Sequence, residues 1–327
     1  MANITVLGAG GWGLGLALAA HRNGHKVTVW SCFEHEIEEL KREREHHKLL
    51  PGVRLPASLQ LTTDLAVAAQ ADGIVFAVPS VHIRSTAQKL KSYVPQPCVL
   101  IDAAKGIEAQ TGYRMSQIIE EEIPTHSVVA FSGPTHAEEV ARGLPTSIVS
   151  ASADLNAARW VQDVFMQPSL RVYVNTDIIG VELGGALKNV IALAAGISDG
   201  LNMGDNCKAA LMTRGIAEMA RLGEAMGAKT ETFLGLAGIG DLIVTCGSIY
   251  SRNHRAGELI GKGIAPKTAV DMVGTVEGFF AVASATELAK RLQVEMPIAT
   301  ECYRICYENA SPRDAVENLM GRKKREE

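Results

Sequence analysis

The segment GGALKNVIALAAG, residues 184–196, places one ammonium group, that of Lys188, in an otherwise apolar stretch. A buried lysine must be paired or lose its proton, and such lysines serve as catalytic acids and bases. If residues 184–199 are helical, one face carries the lysine among small residues and one acid: Gly184, Ala192, Ala195 and Asp199. That face leaves room for a ligand. It is equally compatible with a lysine that reaches solvent or that pairs with Glu182 or Asp199.

A second candidate is Asp241, which lies in the glycine-rich apolar stretch GLAGIGDLIVTC, residues 235–246. A carboxylate buried there needs a partner or a function, and Lys188 is the expected partner. The alternative is that Asp241 is the N-cap of a helix that follows Gly240.

The segment SIYSRNHRAGELIGKG, residues 248–263, has the features of an anion site. Ser251 is expected to cap a helix that begins with Arg252 and Asn253. Unpaired amides, a forked cation and an amide side chain would then meet at one point, which suits a phosphate group. A capped basic surface helix is the alternative.

Near the start of the chain, GAGGWG spaces Gly8, Gly10 and Gly13 as G-x-G-x-x-G after an apolar run, NITVL. In a strand, turn and helix context, such glycines allow a tight turn, backbone approach to a pyrophosphate and close helix packing. The segment therefore predicts dinucleotide binding.

The end of the second predicted strand normally distinguishes NAD from NADP, through an acid or a basic residue respectively. Here it reads VWSCFEHE, with Ser31, Cys32 and Phe33 at that position and Glu34 slightly too late. The pattern excludes neither cofactor.

Short β-branched runs alternate with helical patterns through the first half of the chain. The predicted strands lie at residues 3–7, 26–30, 73–78, 98–102, 127–133, 145–151 and 170–175. This alternation predicts an α/β fold with a mainly parallel sheet, that is, an N-terminal Rossmann-like dinucleotide-binding domain over residues 1–180.

Beyond residue 180 the β-branched runs vanish, and Ala, Leu, Met and Gly recur at helical spacing. Two segments illustrate the pattern, AALMTRGIAEMARLGEAMGA (209–228) and EGFFAVASATELAKRL (277–292). They predict an all-helical C-terminal domain over residues 181–327, which contains the candidate residues Lys188, Asp241 and Ser251.

The composition argues against a protein that binds nucleic acid or an anionic membrane through its overall charge. The 327 residues carry a formal net charge of −4, so no overall basic field favours nucleic acid or an anionic membrane. The basic run RKKR at 322–325 reads as a solvated tail.

Six cysteines without metal-ligand spacing indicate reduced thiols, and Cys302 and Cys306 read as small core residues. We see no leader, and no apolar stretch that reaches membrane length without interruption, so we expect a soluble, cytoplasmic protein.

Taken together, these residues resemble the NAD(P)-dependent glycerol-3-phosphate dehydrogenases of bacteria. The blocks that carry the resemblance span nearly the whole chain: LGAGGWGLGLA, AAKGIE, FSGPTHAEEVARGLPTSIV, GGALKNVIALAAGISDGLNMGDNCKAALMTRGIAEMARLG and GLAGIGDLIVTCGSIYSRNHRAGELIGKG. The block around Lys188 and the block that ends in SRN are the most specific.

The resemblance implies roles for individual residues. Lys188 would transfer the proton at the C2 oxygen, and the catalytic group would also include Asp241, Thr245 and Lys105. The implied substrate contacts are Lys105, Gly133, Thr135, Lys188, Asp241, Ser251, Arg252 and Asn253. The implied cofactor contacts are Gly8, Gly10, Gly11, Trp12, Gly13, Cys32, Phe33, Lys105, Ala137, Arg252, Thr275 and Glu277.

Three positions depart from the family pattern. Gly11 stands where serine is common, and Thr275 replaces a usual valine. Cys32 stands where arginine or histidine often lies, which weakens the expected preference for NADPH.

The resemblance further implies reduction of dihydroxyacetone phosphate to sn-glycerol 3-phosphate for phospholipid synthesis, with NADPH or NADH as cofactor and without a metal. It also implies a homodimer and feedback control by the product, with no integral membrane contact and no nucleic-acid partner. Two rival hypotheses are a related two-domain reductase of another small hydroxy compound and a non-catalytic nucleotide sensor.

Overall fold

The computed structural model describes residues 1–324, and the chain divides into two compact units. The first comprises Met1–Lys105 and Tyr113–Glu182, and the second comprises Gly106–Gly112 and the chain from Leu183 on. The placement of Gly106–Gly112 in the second unit had no counterpart in the sequence prediction. Of the predicted basic run RKKR, the last residue, Arg325, lies outside the described residues.

The first unit is built on one eight-stranded sheet. Its strands are β1 (Asn3–Leu7), β2 (Lys26–Trp30), β3 (Gln60–Thr62), β4 (Gly73–Phe76), β5 (Val99–Asp102), β6 (Val128–Ser132), β7 (Thr146–Ala151) and β8 (Leu170–Asn175). The strand order is β3-β2-β1-β4-β5-β6-β7-β8. All neighbours are parallel except β6 and β7, which are antiparallel. The predicted Rossmann-like α/β fold is confirmed, whereas the three-residue β3 was missed.

The order of strands determines where a ligand can enter the sheet of the first unit. From β1 the chain proceeds outward to β2 and β3, and then returns to β4 on the other side of β1. In such doubly wound sheets, ligands bind beyond the carboxyl ends of the strands where the order reverses. That point lies at the ends of β1 and β4, immediately before the glycine-rich turn.

Helices cover both faces of this sheet because successive strand residues point to opposite sides. In β4, Val75 packs in one apolar cluster, whereas Ile74 and Phe76 pack in the other. The helices are α1 (Gly11–Arg22), α2 (Glu34–Glu43), α3 (Ile83–Leu90), α4 (Met115–Glu122), α5 (Ala137–Arg142) and α6 (Leu155–Phe165), with 3₁₀ turns at Leu65–Gln70 and Ser80–His82.

The second unit is helical, as the sequence predicts. Its helices are α7 (Ile178–Gly200, whose first turn belongs to the first unit), α8 (Asp205–Ala225), α9 (Thr230–Phe233), α10 (Asp241–Gly247), α11 (Arg252–Gly261), α12 (Pro266–Val273), α13 (Glu277–Arg291), α14 (Pro297–Glu308) and α15 (Pro312–Met320). A π-helical turn, Leu236–Gly240, precedes α10. One apolar cluster joins α7, α11 and α14 through residues that include Leu193, Ile260 and Ile305.

Helix α7 is long and apolar enough to cross a membrane by length and composition, although charged residues and glycines interrupt it, as the sequence predicts. However, 89% of its apolar window is buried within the protein, which is typical of the core helix of a soluble protein. Its apolar surface packs against protein.

The cysteines are free thiols. Cys302 is buried in α14, and Cys306, one turn later, is half-buried. Burial raises the pKa of the Cys306 thiol to about 12, so this thiol is protonated and unreactive at neutral pH. The interpretation of the pair as small core residues therefore agrees with their environment.

Candidate active site

The glycine turn after β1 has the geometry that a pyrophosphate requires. Gly8 adopts φ +117°, and a Cβ on Gly13 would lie 2.0 Å from the Gly8 carbonyl oxygen. A Cβ on Gly10 would meet no described heavy atom within 4 Å, so open space faces the turn there. Gly10 is also the N-cap of α1 and has no side chain to cover the first amides of the helix. Those amides suit the phosphates of a dinucleotide.

Trp12 and Ala137 lie beside this turn in the first unit. The Trp12 indole donates a hydrogen bond to the Ala103 carbonyl oxygen at 3.0 Å, which ties α1 to the loop after β5. A Cβ on Gly11 would lie 3.6 Å from that of Ala137, an ordinary contact distance. A small side chain such as serine would therefore fit at position 11.

Lys105 lies in the loop that follows β5. Its ammonium donates to the Gly133 carbonyl oxygen at 3.0 Å, and the Thr135 hydroxyl donates to the same oxygen at 3.1 Å. Three residues that the sequence assigns to the substrate thus meet at one carbonyl group. They lie at the carboxyl ends of β5 and β6.

At the end of β2, position 31 is a serine, so it offers no carboxylate to the ribose of a cofactor. Ser31 is buried, and its hydroxyl donates to Glu36, while the Phe33 amide donates to the Ser31 hydroxyl at 3.2 Å. Cys32 and Phe33 are exposed. The residues available to a cofactor there are therefore a thiol and an aromatic ring.

In the second unit, Lys188, Asp241 and Thr245 form a cluster that we call the lysine site. Lys188 Nζ lies 2.9 Å from Asp241 Oδ1 and 2.6 Å from Thr245 Oγ1. The lysine is only 6% exposed and the aspartate 1%. Both alternatives for Lys188, exposure to solvent or pairing with Glu182 or Asp199, are wrong, and the expected pairing with Asp241 is confirmed.

The π-helical turn explains how Asp241 reaches the lysine. A Cβ on Gly184 would lie 2.4 Å from the Ala237 carbonyl oxygen, so glycine lets this turn pack directly on α7 one helical turn before Lys188. Asp241 is the first residue of α10 and Gly240 is its N-cap. The alternative role of Asp241 as N-cap is therefore wrong. π-Turns of this kind often mark functional sites.

The SRN segment begins α11 as the sequence predicts. The Ser251 hydroxyl accepts a hydrogen bond from the His254 amide at 3.2 Å, which confirms the cap. Asn253 is buried; its amide nitrogen donates to Asn189 Oδ1 at 2.9 Å, and its oxygen accepts the Gly278 amide at 2.8 Å. Arg252 is exposed at the first position of the helix.

Helix α11 lies close to α7 because glycines face each other. A Cβ on Gly196 would lie 2.0 Å from the His254 carbonyl oxygen, and one on Gly257 would lie 2.2 Å from the Leu193 carbonyl oxygen. His254 Nε2 also lies 2.7 Å from Asp199 Oδ2, which Lys208 contacts at 2.5 Å. Asp199 therefore joins α7, α8 and α11.

Two further predicted cofactor residues lie at the start of α13. Glu277 is its first residue and half-buried, and Thr275 is exposed just before it. Because Gly278 donates to Asn253, the turn that carries Glu277 is joined to the SRN segment.

Sequence reasoning missed the role of Asn189. It noted the residue beside Lys188 but assigned nothing to it, and the structure shows it orienting the amide of Asn253. Its position next to the lysine on one helix, with a polar side chain in an apolar segment, was the available signal.

We also searched the described residues for a metal site and for a cavity. Within residues 1–324, no group of three or more His, Cys, Asp or Glu side chains is arranged to hold a metal ion. A cavity of about 940 Å³ lies in the second unit among α7, α8, α14 and α15, and none of the predicted site residues lines it.

Comparison with known proteins identifies the family. Residues 3–158 match the model of the NAD-dependent glycerol-3-phosphate dehydrogenase N-terminus, and residues 177–317 match that of the C-terminus. The chain belongs to the NAD-dependent glycerol-3-phosphate dehydrogenase family. Its glycine turn, Lys105 and the lysine site all fall within the matched ranges.

Named glycerol-3-phosphate dehydrogenases cover the chain almost completely. The protein of Moorella thermoacetica with that name and the designation NAD(P)+ is 51% identical over 98% of this chain and 96% of its own length. That of Desulfitobacterium hafniense is 48% identical over 100% of this chain and 93% of its own. The crystal structure of glycerol-3-phosphate dehydrogenase from Coxiella burnetii superposes with a TM-score of 0.95 at 35% identity, covering 98% of this chain and 99% of that one.

Proposed function

We propose that this protein reduces dihydroxyacetone phosphate to sn-glycerol 3-phosphate with NADPH or NADH, and that it catalyses the reverse reaction as well. The observation that carries the proposal is the lysine site, in which a buried ammonium is held by a carboxylate and a hydroxyl. Its relatives are named for this activity. The residues, rather than the fold alone, support the chemistry.

Lys188 is the proton donor in this proposal. The substrate carbonyl carbon gains a hydride and its oxygen gains a proton, so a developing alkoxide must be stabilised and then protonated. A fixed ammonium does both, because its charge faces the oxygen and it carries the proton. Asp241 and Thr245 orient the ammonium, and Asp241 keeps the buried cation paired.

The start of α11 binds the phosphate of the substrate. The first amides of the helix and the exposed guanidinium of Arg252 suit a dianion, and Asn253 is oriented by Asn189 and Gly278. Holding the phosphate restricts the position of the reacting carbon, which lowers the entropic part of the barrier.

The first unit binds the cofactor through the glycine turn, where the open space at Gly10 and the uncovered first amides of α1 suit the phosphates. The nicotinamide, when bound, supplies the hydride. Lys105, at the ends of β5 and β6, contributes a second cation for substrate and cofactor. We accordingly assign residues 1–180 to cofactor binding, with Lys105 also serving the substrate, and residues 181–327 to the substrate phosphate and proton transfer.

Oxidation of reduced nicotinamide, followed by absorbance, tests the proposal. Purified protein should consume NADPH or NADH only when dihydroxyacetone phosphate is present, and unphosphorylated dihydroxyacetone should give little or no turnover. Equal activity with both compounds would favour a reductase of another hydroxy compound. Cofactor binding without turnover would favour a nucleotide sensor.

We further propose that the enzyme works in the cytoplasm as a homodimer, and that its product enters phospholipid synthesis. A net charge of −4 and the burial of α7 support a protein that engages neither nucleic acid nor the membrane interior. Sedimentation analysis of the purified chain tests the dimer, and a monomer at micromolar concentration would contradict it.

A further inference from the structure

A buried ionic cluster of the first unit has no role in the reaction as proposed. It consists of Asp102 at the end of β5, Arg114 and Ser116 at the start of α4, and Glu182 in the first turn of α7. Each of the four residues is at most 9% exposed. We call it the carboxyl cluster, because it holds two acids and a single guanidinium.

Glu182 accepts hydrogen bonds from three donors. The Ser116 amide donates to Oε1 at 2.7 Å, and the Ser116 hydroxyl donates to Oε2 at 2.7 Å. The Arg114 guanidinium also donates to Oε2. Three donors, one of them charged, stabilise this side chain as a carboxylate.

Asp102 has different partners. Its Oδ1 accepts the amide of Ala104 at 3.0 Å, and its carboxyl group is 2% exposed and lies within the electrostatic influence of Glu182. Burial, followed by the charge of Glu182, raises the pKa of Asp102 well above its ordinary range, against the opposing effects of the Ala104 amide and Arg114. Glu120 also faces this cluster with a negative charge.

The hydrogen-bond partners and the charge balance indicate which of the two buried acids is protonated. Glu182 is already stabilised as an anion by a guanidinium and two further donors, so the proton belongs to Asp102. With Asp102 neutral, the buried charges of Glu182 and Arg114 cancel, whereas two anions beside one cation would leave a buried net charge of −1.

The Asp102 carboxyl also anchors the loop that presents Lys105. Its contact with the Ala104 amide is a side chain to i+2 bond, which sets the turn directly before the lysine. The Trp12 indole holds the next carbonyl, that of Ala103, and Lys105 itself donates to Gly133. Asp102 is thus the link between the carboxyl cluster and the loop.

We propose that Asp102 is a positioning residue for Lys105: a neutral carboxyl that donates to Glu182 and, through its other contact, fixes the Ala104 amide. The inference rests on the proposed function, which gives Lys105 its role. It adds a residue that never touches substrate or cofactor but acts through the lysine.

Two substitutions at Asp102 separate this role from a merely structural one. Asp102→Asn is neutral, keeps an oxygen for the Ala104 amide and an N–H for Glu182, and should retain kcat/KM within about threefold. Asp102→Ala removes both contacts and should lower kcat/KM by about tenfold or more. In a Lys105→Ala background, Asp102→Ala should cost less than about twofold, because coupled residues are not additive.

Two readouts do not depend on activity. Exchange of the Ala104 amide hydrogen should be accelerated in Asp102→Ala and unchanged in Asp102→Asn. The urea midpoint of the wild type should also fall relative to that of Asp102→Asn as the pH rises above the ordinary aspartate value of 3.8. The native state then holds a proton that the unfolded chain has lost, so stability decreases with rising pH.

Glu182→Gln provides the matched contrast, because it removes the charge from the partner of Arg114. It should lower the urea midpoint strongly, whereas Asp102→Asn should leave the midpoint at pH 7 unchanged or higher. If Asp102→Ala does not fold, two comparisons still test whether Asp102 is neutral. One compares the pH dependence of stability in the wild type and Asp102→Asn, and the other compares the urea midpoints of Glu182→Gln and Asp102→Asn.

The results that would overturn the inference are specific. Equal loss of activity in Asp102→Asn and Asp102→Ala, or parallel pH profiles of stability for the wild type and Asp102→Asn, would show that Asp102 acts as an anion. Additive losses with Lys105→Ala would show that Asp102 acts independently of the lysine. Absence of dihydroxyacetone phosphate reduction in the wild type would instead refute the proposed function, while amide exchange and the pH profile would still report on Asp102.

Discussion

In the first unit, one guanidinium lies among two buried carboxyl groups, whereas in the second unit one ammonium lies beside a single buried carboxylate. The lysine site is balanced by its own residues, since Lys188 and Asp241 carry opposite charges at 2.9 Å. The carboxyl cluster is balanced only if Asp102 keeps a proton. Both arrangements avoid an uncompensated buried charge, but by different means.

The difference has a functional consequence. In the proposed mechanism, the balanced pair in the second unit leaves an ammonium that gives its proton to the substrate and recovers it. In the inference for Asp102, the proton in the first unit instead helps to hold the loop before Lys105. Under these two proposals, buried charge serves chemistry in the second unit and position in the first.

The largest effect should follow from breaking the lysine site. Lys188→Ala should lower kcat by about a hundredfold or more, because it removes both the proton donor and the cation at the developing alkoxide. Single-turnover kinetics would measure the loss, and fluorescence titration with NADPH should show nearly unchanged cofactor affinity. Turnover close to that of the wild type would remove Lys188 from the mechanism. The variant should also unfold more readily, by about 3–5 kcal/mol, because Asp241 loses its charged partner.

Glu218 of α8 extends the comparison to a buried carboxyl group that accepts hydrogen bonds from backbone amides. Its two oxygens accept the Ile298 amide at 2.9 and 3.2 Å, and burial raises its pKa to about 7. Between pH 4.5 and 7 the native state holds a proton that the unfolded chain has lost, so stability should fall by on the order of 3 kcal/mol as the pH rises.

Glu218→Gln is the matched control for this prediction, since its amide oxygen can still accept from Ile298. Urea denaturation at several pH values should show a shallower decline for this variant than for the wild type. A profile that coincides with that of the wild type would mean that Glu218 is ionised throughout.

Substitutions at the start of α11 test whether, in the second unit, one residue contacts the ligand while its neighbour only stabilises the helix. Arg252→Ala should raise the KM for dihydroxyacetone phosphate by about tenfold with little effect on stability, because the side chain is exposed. Ser251→Ala should cost about 1 kcal/mol of stability through loss of the cap. Steady-state kinetics and thermal unfolding distinguish the two, and equal stability losses would contradict the assignment.

The smallest effect should come from the first unit, where Cys32 is exposed at the end of β2. Cys32→Arg places a guanidinium where the 2′-phosphate of NADP is expected, and should raise the ratio of kcat/KM for NADPH over NADH by roughly tenfold. Cys32→Ser serves as the uncharged control. An unchanged ratio in the arginine variant would place the 2′-phosphate elsewhere.

Local patterns of the sequence were sufficient for most elements of the fold. Seven strands were predicted because their β-branched runs are four residues or longer, but β3 spans only Gln60–Thr62 and lacks such a run. The helical character of the second half followed from the spacing of its apolar residues. The full extent of α7 did not, since the helical segment considered from the sequence began at Gly184, whereas α7 begins at Ile178.

The sequence also indicated which residues could do chemistry, since Lys188 and Asp241 are conspicuous in apolar surroundings. It favoured their pairing but kept alternatives for both residues, because their separation of 53 residues is closed only by the packing of the π-helical turn on Gly184. Similarly, Glu182 was a candidate partner for Lys188, yet it contacts Arg114, 68 residues away.

By itself, the sequence determined the elements, the glycine turn, the capped start of α11 and the family to which the chain belongs, because each of these depends on neighbouring residues or on extended blocks. Only the tertiary structure decided which buried acid meets which cation. Pairing of charges across many residues depends on how helices and strands pack, and a buried charge is tolerated only where that packing brings a partner within hydrogen-bond distance.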